Sequence, residues 1–104
     1  MSTKSQTADF IIEQLGSLDV RVRKMFGEYG LYCDDKLPAF ICDDTLFVKI
    51  LDANDKLAVG LSKGPCYPGS KDYYVIPDER LEDRAWLQRL IQTTTDALPL
   101  RKKG

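Results

Sequence analysis

Histidine is missing from this 104-residue chain. Its absence removes the side chain that titrates nearest neutrality, the commonest general acid–base group and a frequent metal ligand, although an enzyme is not thereby excluded. A surplus of one charge is missing too: 15 Lys and Arg stand against 16 Asp and Glu, a formal net charge of −1. Affinity for nucleic acid regardless of sequence comes mainly from neutralising phosphates with excess cations, so a global basic footprint is lacking. No apolar run approaches the ~20 residues that cross a bilayer. The polar start Met1–Thr7 has no apolar stretch behind it, so no secretory signal is expected and the protein is placed in the cytoplasm, away from membranes. Cysteine is sparse and odd in number. Cys33, Cys42 and Cys66 match no zinc spacing and read as ordinary half-buried thiols, with a redox or metal role as the alternative.

What is present suits one folded domain over residues 1–104, with the tail 99–104 expected to be flexible. The composition, 43% hydrophobic and 30% charged, is ordinary for such a domain. A chain of this length buries roughly 65% of its unfolded surface, enough for one core. Ala8, Ile11, Ile12, Leu15 and Leu18 recur at helical spacing and predict an amphipathic helix over about Thr7–Leu18, capped by Thr7 or Ser5. From Val20 the period shortens. A first short strand through Arg21, Val22, Arg23, Lys24, Met25 and Phe26 closes at Gly27, and Tyr29–Cys33, Leu37–Cys42 and Thr45–Leu51 follow as strands. Asp34-Asp35-Lys36 and Asp43-Asp44 separate them as turns, because Asp tolerates left-handed backbone. Such short turns force antiparallel neighbours. Asp52 or Asn54 is read as the cap of a short helix carrying Leu57, Ala58 and Leu61. Pro65–Lys71 is a loop, Tyr73–Ile76 a further strand, and a last helix begins at Asp78 or Asp83 and ends at Pro99. The order argues an α+β fold: an antiparallel sheet of about five strands with helices packed on one face.

Candidate chemistry is thin. The acidic pairs sit where hairpins need turns, and adjacent carboxylates without a third ligand make a poor cation site. Cys and Ser have no histidine to activate them, and a lysine base would need burial. Gly27-Glu28-Tyr29-Gly30 lacks the spacing of a phosphate loop, and a bulge or a tight turn with positive φ is the expected use of both glycines. No catalytic, cofactor-binding or metal residue is assigned, and no cofactor is expected. The aromatic residues are more informative. Tyr29, Tyr32, Tyr67, Tyr73, Tyr74, Phe26, Phe40 and Phe47 are many rings for a small sheet. Helices on one face leave some of these rings for the other, where an apolar patch suits a dimer or partner surface. The bland alternative is that the rings cover a thin core. Arg21, Arg23 and Lys24, with Arg101-Lys102-Lys103, form a candidate basic patch or simply solvated charge.

The runs KMFGEYGLYCDD, PAFICDDTLFVK, YPGSKDYYVIP and LEDRAWLQRLI resemble the TfoX (Sxy) N-terminal domain family from the first helix to Leu98. The likeness is carried by Met25-Phe26-Gly27, Tyr29-Gly30, Lys49, Tyr67-Pro68-Gly69 and Tyr73-Tyr74. It implies an antiparallel sheet with helices on one side, similar to type III secretion chaperones. The resemblance further implies a non-enzymatic regulator of natural competence, since the best-known members promote transcription of DNA-uptake genes with the cyclic-AMP receptor protein. Those members carry a second, C-terminal helical domain, so a stand-alone, single-domain member is expected here.

The sequence therefore points to a regulatory or adaptor domain with a protein partner, for which the resemblance suggests transcription machinery. Its candidate interaction surface is Phe26, Tyr29, Phe47, Lys49, Tyr67, Tyr73 and Tyr74. A homodimer is admitted and direct DNA binding is disfavoured. The alternatives are a nucleic-acid-associated protein using the basic patch, or a small-ligand binder with a pocket near Cys66–Tyr74.

Overall fold

A computed structural model of the chain describes residues 4–25 and 28–99. Its elements are helix α1 (Ser5–Gln14), strands β1 (Val20–Met25), β2 (Glu28–Cys33), β3 (Lys36–Cys42) and β4 (Thr45–Val48), a 3-10 turn at Asp52–Asn54, strands β5 (Ser62–Pro65) and β6 (Asp72–Ile76), and helices α2 (Asp78–Leu81) and α3 (Arg84–Ala97). The six strands form one sheet in the order β1-β2-β3-β4-β6-β5, and every pair is antiparallel. The α+β architecture follows the sequence pattern, with one strand more than the five expected.

The first four strands are a meander because their turns are minimal. Asp34, Asp35, Asp43 and Asp44 all have positive φ, between 50° and 64°. Two consecutive left-handed residues are the mark of the type I′ hairpin, whose twist matches that of the flanking strands. Pro38 lies inside a central strand, where a missing N–H should break the ladder. It is accommodated by a register shift: Leu31 pairs with Ala39 but Cys33 with Lys36, so β3 carries an extra residue at this point. The Pro38 carbonyl is still used, accepting from the Lys49 backbone N–H at 2.9 Å. Gly30 is not at a turn; it lies within β2 opposite Arg23 and Phe40. Gly27 lies outside the described residues.

The predicted helix after β4 does not form. Asn54 is fully buried and holds the chain in a tight turn instead. Its side chain donates to the Lys49 carbonyl at 2.9 Å and to Thr94 Oγ1 at 2.7 Å, while its Oδ1 accepts from the Leu51 backbone N–H at 3.1 Å. Gly60, at φ 87°, then redirects the chain into the edge strand β5. At the C-terminal end, both proposed helix starts are used. Asp78 opens α2, and Asp83 caps α3 by accepting from the Trp86 backbone N–H at 3.2 Å. In α1 the start falls at Ser5, and the Thr7 hydroxyl donates to Asp44 Oδ1 rather than capping the helix.

The core lies between the helices and one face of the sheet. Ile11 and Leu15 meet Leu31, Ile41, Leu46, Val48 and Ile76 from the strands and Leu87, Leu90 and Ile91 from α3, all fully buried. Each such side chain contributes roughly 1.5–3 kcal/mol through removal from water. Polar bonds fix how the helices sit: Gln14 donates to the Leu81 carbonyl at 2.7 Å, and Gln88 donates to the Gln14 carbonyl at 2.9 Å. Among the described residues no helix is long and apolar enough to cross a membrane.

Candidate functional site: the open face of the sheet

Pleating sends alternate side chains to opposite faces of the sheet. The register places Tyr32, Phe40, Cys42, Phe47, Tyr73 and Val75 on the face away from the helices, together with Arg21 and Arg23 from the edge strand β1. Here a second, smaller apolar cluster forms from Cys42, Phe47 and Tyr73, with Phe40, Cys66 and Val75 packed against it. Phe40 and Tyr73 meet edge to face, with ring centroids 5.6 Å apart. Among the described residues, the helices pack on the opposite face. Cys66, at the start of the loop Cys66–Lys71 that leaves β5, packs against this cluster, and Lys71 lies 6.0 Å from the centre of the Tyr73 ring.

That loop is ordered by its own atoms. Pro68 and Gly69 occupy the middle of a turn closed by the Ser70 N–H donating to the Tyr67 carbonyl at 3.0 Å. Pro sets the first φ, and Gly69 takes the positive φ of 88° that such a turn needs. Ser70 Oγ accepts from the Cys66 N–H at 2.9 Å, fastening the start of the loop to its end. Cys66 reaches across to Cys42 at the end of β3, and the two form a disulfide with Cα atoms 6.0 Å apart. The expectation of ordinary thiols is thus corrected for these two residues. Only Cys33 is a free cysteine, buried on the core side. Burial pushes its thiol pKa up, opposed by a hydrogen bond with Thr95 and reinforced by Asp34, Asp19 and Asp96.

The sheet divides the candidate interaction residues. Phe47 and Tyr73 lie on the open face but are only 9% and 6% exposed, being packed within the small cluster. Tyr67 stands out at 61% exposure on the loop itself. Tyr74 is 4% exposed and belongs to the main core, and Tyr29 packs partly buried against that same core. Strands β2 and β6 turn both rings toward the helices, away from the open face. Burial raises the Tyr73 and Tyr74 hydroxyl pKa values, assisted at Tyr73 by Tyr67 and at Tyr74 by Asp55 and Asp52. Lys49 sits half-buried just beyond β4. Phe26 lies outside the described residues.

The basic patch is likewise split. Arg21 and Arg23 share the open face, whereas Lys24 pairs with Tyr29 on the other. Arg21 already forms an ion pair with Asp35 at 3.0 Å, and its guanidinium lies 5.8 Å from the centre of the Tyr32 ring. Charges along an edge strand also discourage pairing with another sheet. Arg101, Lys102 and Lys103 lie outside the described residues.

The stretch Cys66–Tyr74 is the loop after β5 and the start of β6. A cavity of about 400 Å³ lies between the start of α1, the β3–β4 turn and α2, lined in part by Thr7, Phe10, Asp44 and Glu82. Asp44 is engaged there by the Lys4 N–H at 2.8 Å and the Thr7 hydroxyl at 2.9 Å, contacts that hold its carboxyl below the usual carboxylate range. Among the described residues no group of His, Cys, Asp and Glu is arranged to hold a metal ion.

Sequence reasoning passed over the part played by Cys42 and Cys66. No local signal marks the pair: Cys66 lies beyond β5, and the two meet only once the strands between them have paired. The model of the TfoX N-terminal domain family matches residues 12–98. A relative from Spirochaeta aurantia, called an uncharacterized 12.7 kDa protein in the trpE 5′ region, is 41% identical over 103 residues, covering 98% of this chain and 89% of that protein.

Proposed function

Because the chain belongs to the TfoX N-terminal domain family, we propose that it is a small regulatory domain that works by binding another protein. The contact is the open face of the sheet, centred on the exposed Tyr67 and the Phe40–Phe47–Tyr73 cluster. One observation carries this reading: a second apolar cluster is built on the face that the helices leave free. That cluster lies apart from the main core, and on the loop whose Cys66 packs against it the Tyr67 ring is 61% exposed. The partner belongs to the transcription machinery, and the regulated process is DNA uptake. The domain acts in the cytoplasm and catalyses no reaction. Direct DNA contact plays no part, since the chain has no cationic surplus and Arg21 is already paired with Asp35.

The test is capture of partners by tagged protein from lysate of the native host, with and without nuclease, beside the variant Tyr67→Glu. A transcription factor or polymerase subunit retained after nuclease and lost with Tyr67→Glu supports the reading. Tyr67 is an exposed loop residue, so its variant should melt at the temperature of the parent, which separates lost contact from lost fold. Partners that vanish on nuclease treatment, with binding that falls steeply as salt rises, would instead favour the nucleic-acid alternative.

A further inference from the structure

The disulfide sits on the proposed contact face and not in the core. Cys42 is 4% exposed, while Cys66 is half-buried and thus the more accessible sulfur. The hydrogen bonds of residues 66–71 run among the loop's own atoms, from Cys66, Tyr67 and Ser70. What joins the loop to the strands is the Cys42–Cys66 bond, the packing of Cys66 on the small cluster, and Lys71 lying 6.0 Å from the centre of the Tyr73 ring. The main core, from Ile11 to Ile91, lies wholly on the other side of the sheet and includes neither sulfur. Opening this bond removes the covalent tie between the loop and β3 and leaves the packing of the main core untouched.

We infer that Cys42–Cys66 is a reversible thiol–disulfide site whose reduction uncovers the aromatic cluster of the open face. This rests on the reading of that face as the working surface. The reductant is a dithiol of the kind that keeps cytoplasmic thiols reduced, and a disulfide in that compartment is most often a transient or sensing one. One reductant thiolate attacks Cys66 Sγ, the S–S bond breaks, and its electron pair leaves on Cys42 Sγ, which takes a proton from water. The second reductant thiol then attacks the mixed disulfide and frees Cys66. Two electrons pass to the protein, and the reductant leaves as its own disulfide. Oxidised glutathione reverses the change by the same two exchanges. Cys33 takes no part, because it lies on the far face with its thiol held protonated by burial.

The test uses the whole protein, oxidised in air, before and after treatment with dithiothreitol. Cysteines are counted by maleimide labelling in denaturant, and backbone opening is followed by hydrogen exchange with mass spectrometry. The oxidised protein should label at Cys33 alone, and the reduced protein at all three cysteines. On reduction the amides of 66–71 should exchange at least about ten-fold faster while α1 and α3 keep their rates, and oxidised glutathione should restore the first state. The double variant C42S/C66S, which labels at Cys33 alone, should show the fast exchange of 66–71 under all conditions. Three labelled cysteines before any reductant, or unchanged exchange at 66–71, would overturn the inference. Loss of protection in α1 and α3 on reduction would also overturn it, by making the bond a staple of the whole fold. No partner enters this readout, so it can fail while the contact face stands, and the reverse.

Discussion

At Asn54 a single amide does the work for which a helix was expected. Its side chain bridges Lys49, Leu51 and Thr94, and the Thr94 hydroxyl passes the chain of bonds on to the Leu90 carbonyl at 2.6 Å. Replacing it with Ala takes the acceptor from the Leu51 N–H and a donor from both the Lys49 carbonyl and Thr94 Oγ1. Asn54→Ala should destabilise the protein by about 2–4 kcal/mol in urea unfolding, since unmet buried polar groups carry their desolvation cost. A loss below about 1 kcal/mol would mean that water replaces the amide. Asp44 sets a pH limit at the same scale. Its folded pKa is depressed, so the bonds from Lys4 and Thr7 contribute stability above the unfolded value, and that stability is lost as pH falls through the folded one. The first turn of α1 should therefore loosen only below about pH 4, seen as faster exchange of its amides. In Asp44→Asn the loosening should no longer follow pH. Local chemistry of this kind was only half legible in the sequence. Asp43 and Asp44 announced a turn through their tolerance of positive φ, but nothing near Asn54 in the chain reveals Thr94, which lies 40 residues away.

Hairpins and helices show the same division among elements. The two Asp-Asp turns define β2, β3 and β4 because each leaves room for only a type I′ connection. Asp35 is the simpler of the two to probe, since its ion pair with Arg21 is exposed on both sides and adds little. Asp35→Gly should stabilise the protein by about 0.5–1 kcal/mol, as Gly takes positive φ without strain. A fall in the urea midpoint would show that the Asp35 side chain matters more than its backbone. The last helix was readable because Trp86, Leu87, Leu90, Ile91 and Thr94 repeat at helical spacing behind the Asp83 cap. Strand β5 was not, because Ser62-Lys63-Gly64-Pro65 has neither apolar alternation nor strand-favouring residues. It is a strand only by virtue of the β6 edge it pairs with.

On the scale of the whole molecule, the disulfide closes a loop across 24 residues that includes β4, the Asn54 turn and β5. A link of this span removes freedom from the unfolded chain worth about 3 kcal/mol. Under oxidising conditions Cys66→Ser should lower unfolding stability by roughly that amount, and under reducing conditions it should match the parent. An equal loss in both conditions would trace the effect to packing rather than to the link. Domains of this size are stable by about 5–15 kcal/mol, so the reduced protein is expected to stay folded on its helix-side core. By itself the sequence determined the parts whose causes are local: the helical stripe of α3, the left-handed Asp turns, the Pro68-Gly69 turn and the antiparallel order of the meander. Tertiary structure alone decided which rings look outward, because one residue of register turns Tyr73 to the open face and Tyr74 to the core. It also decided that Cys42 and Cys66 meet, because closing a loop across β4 and β6 depends on strands that must first pair.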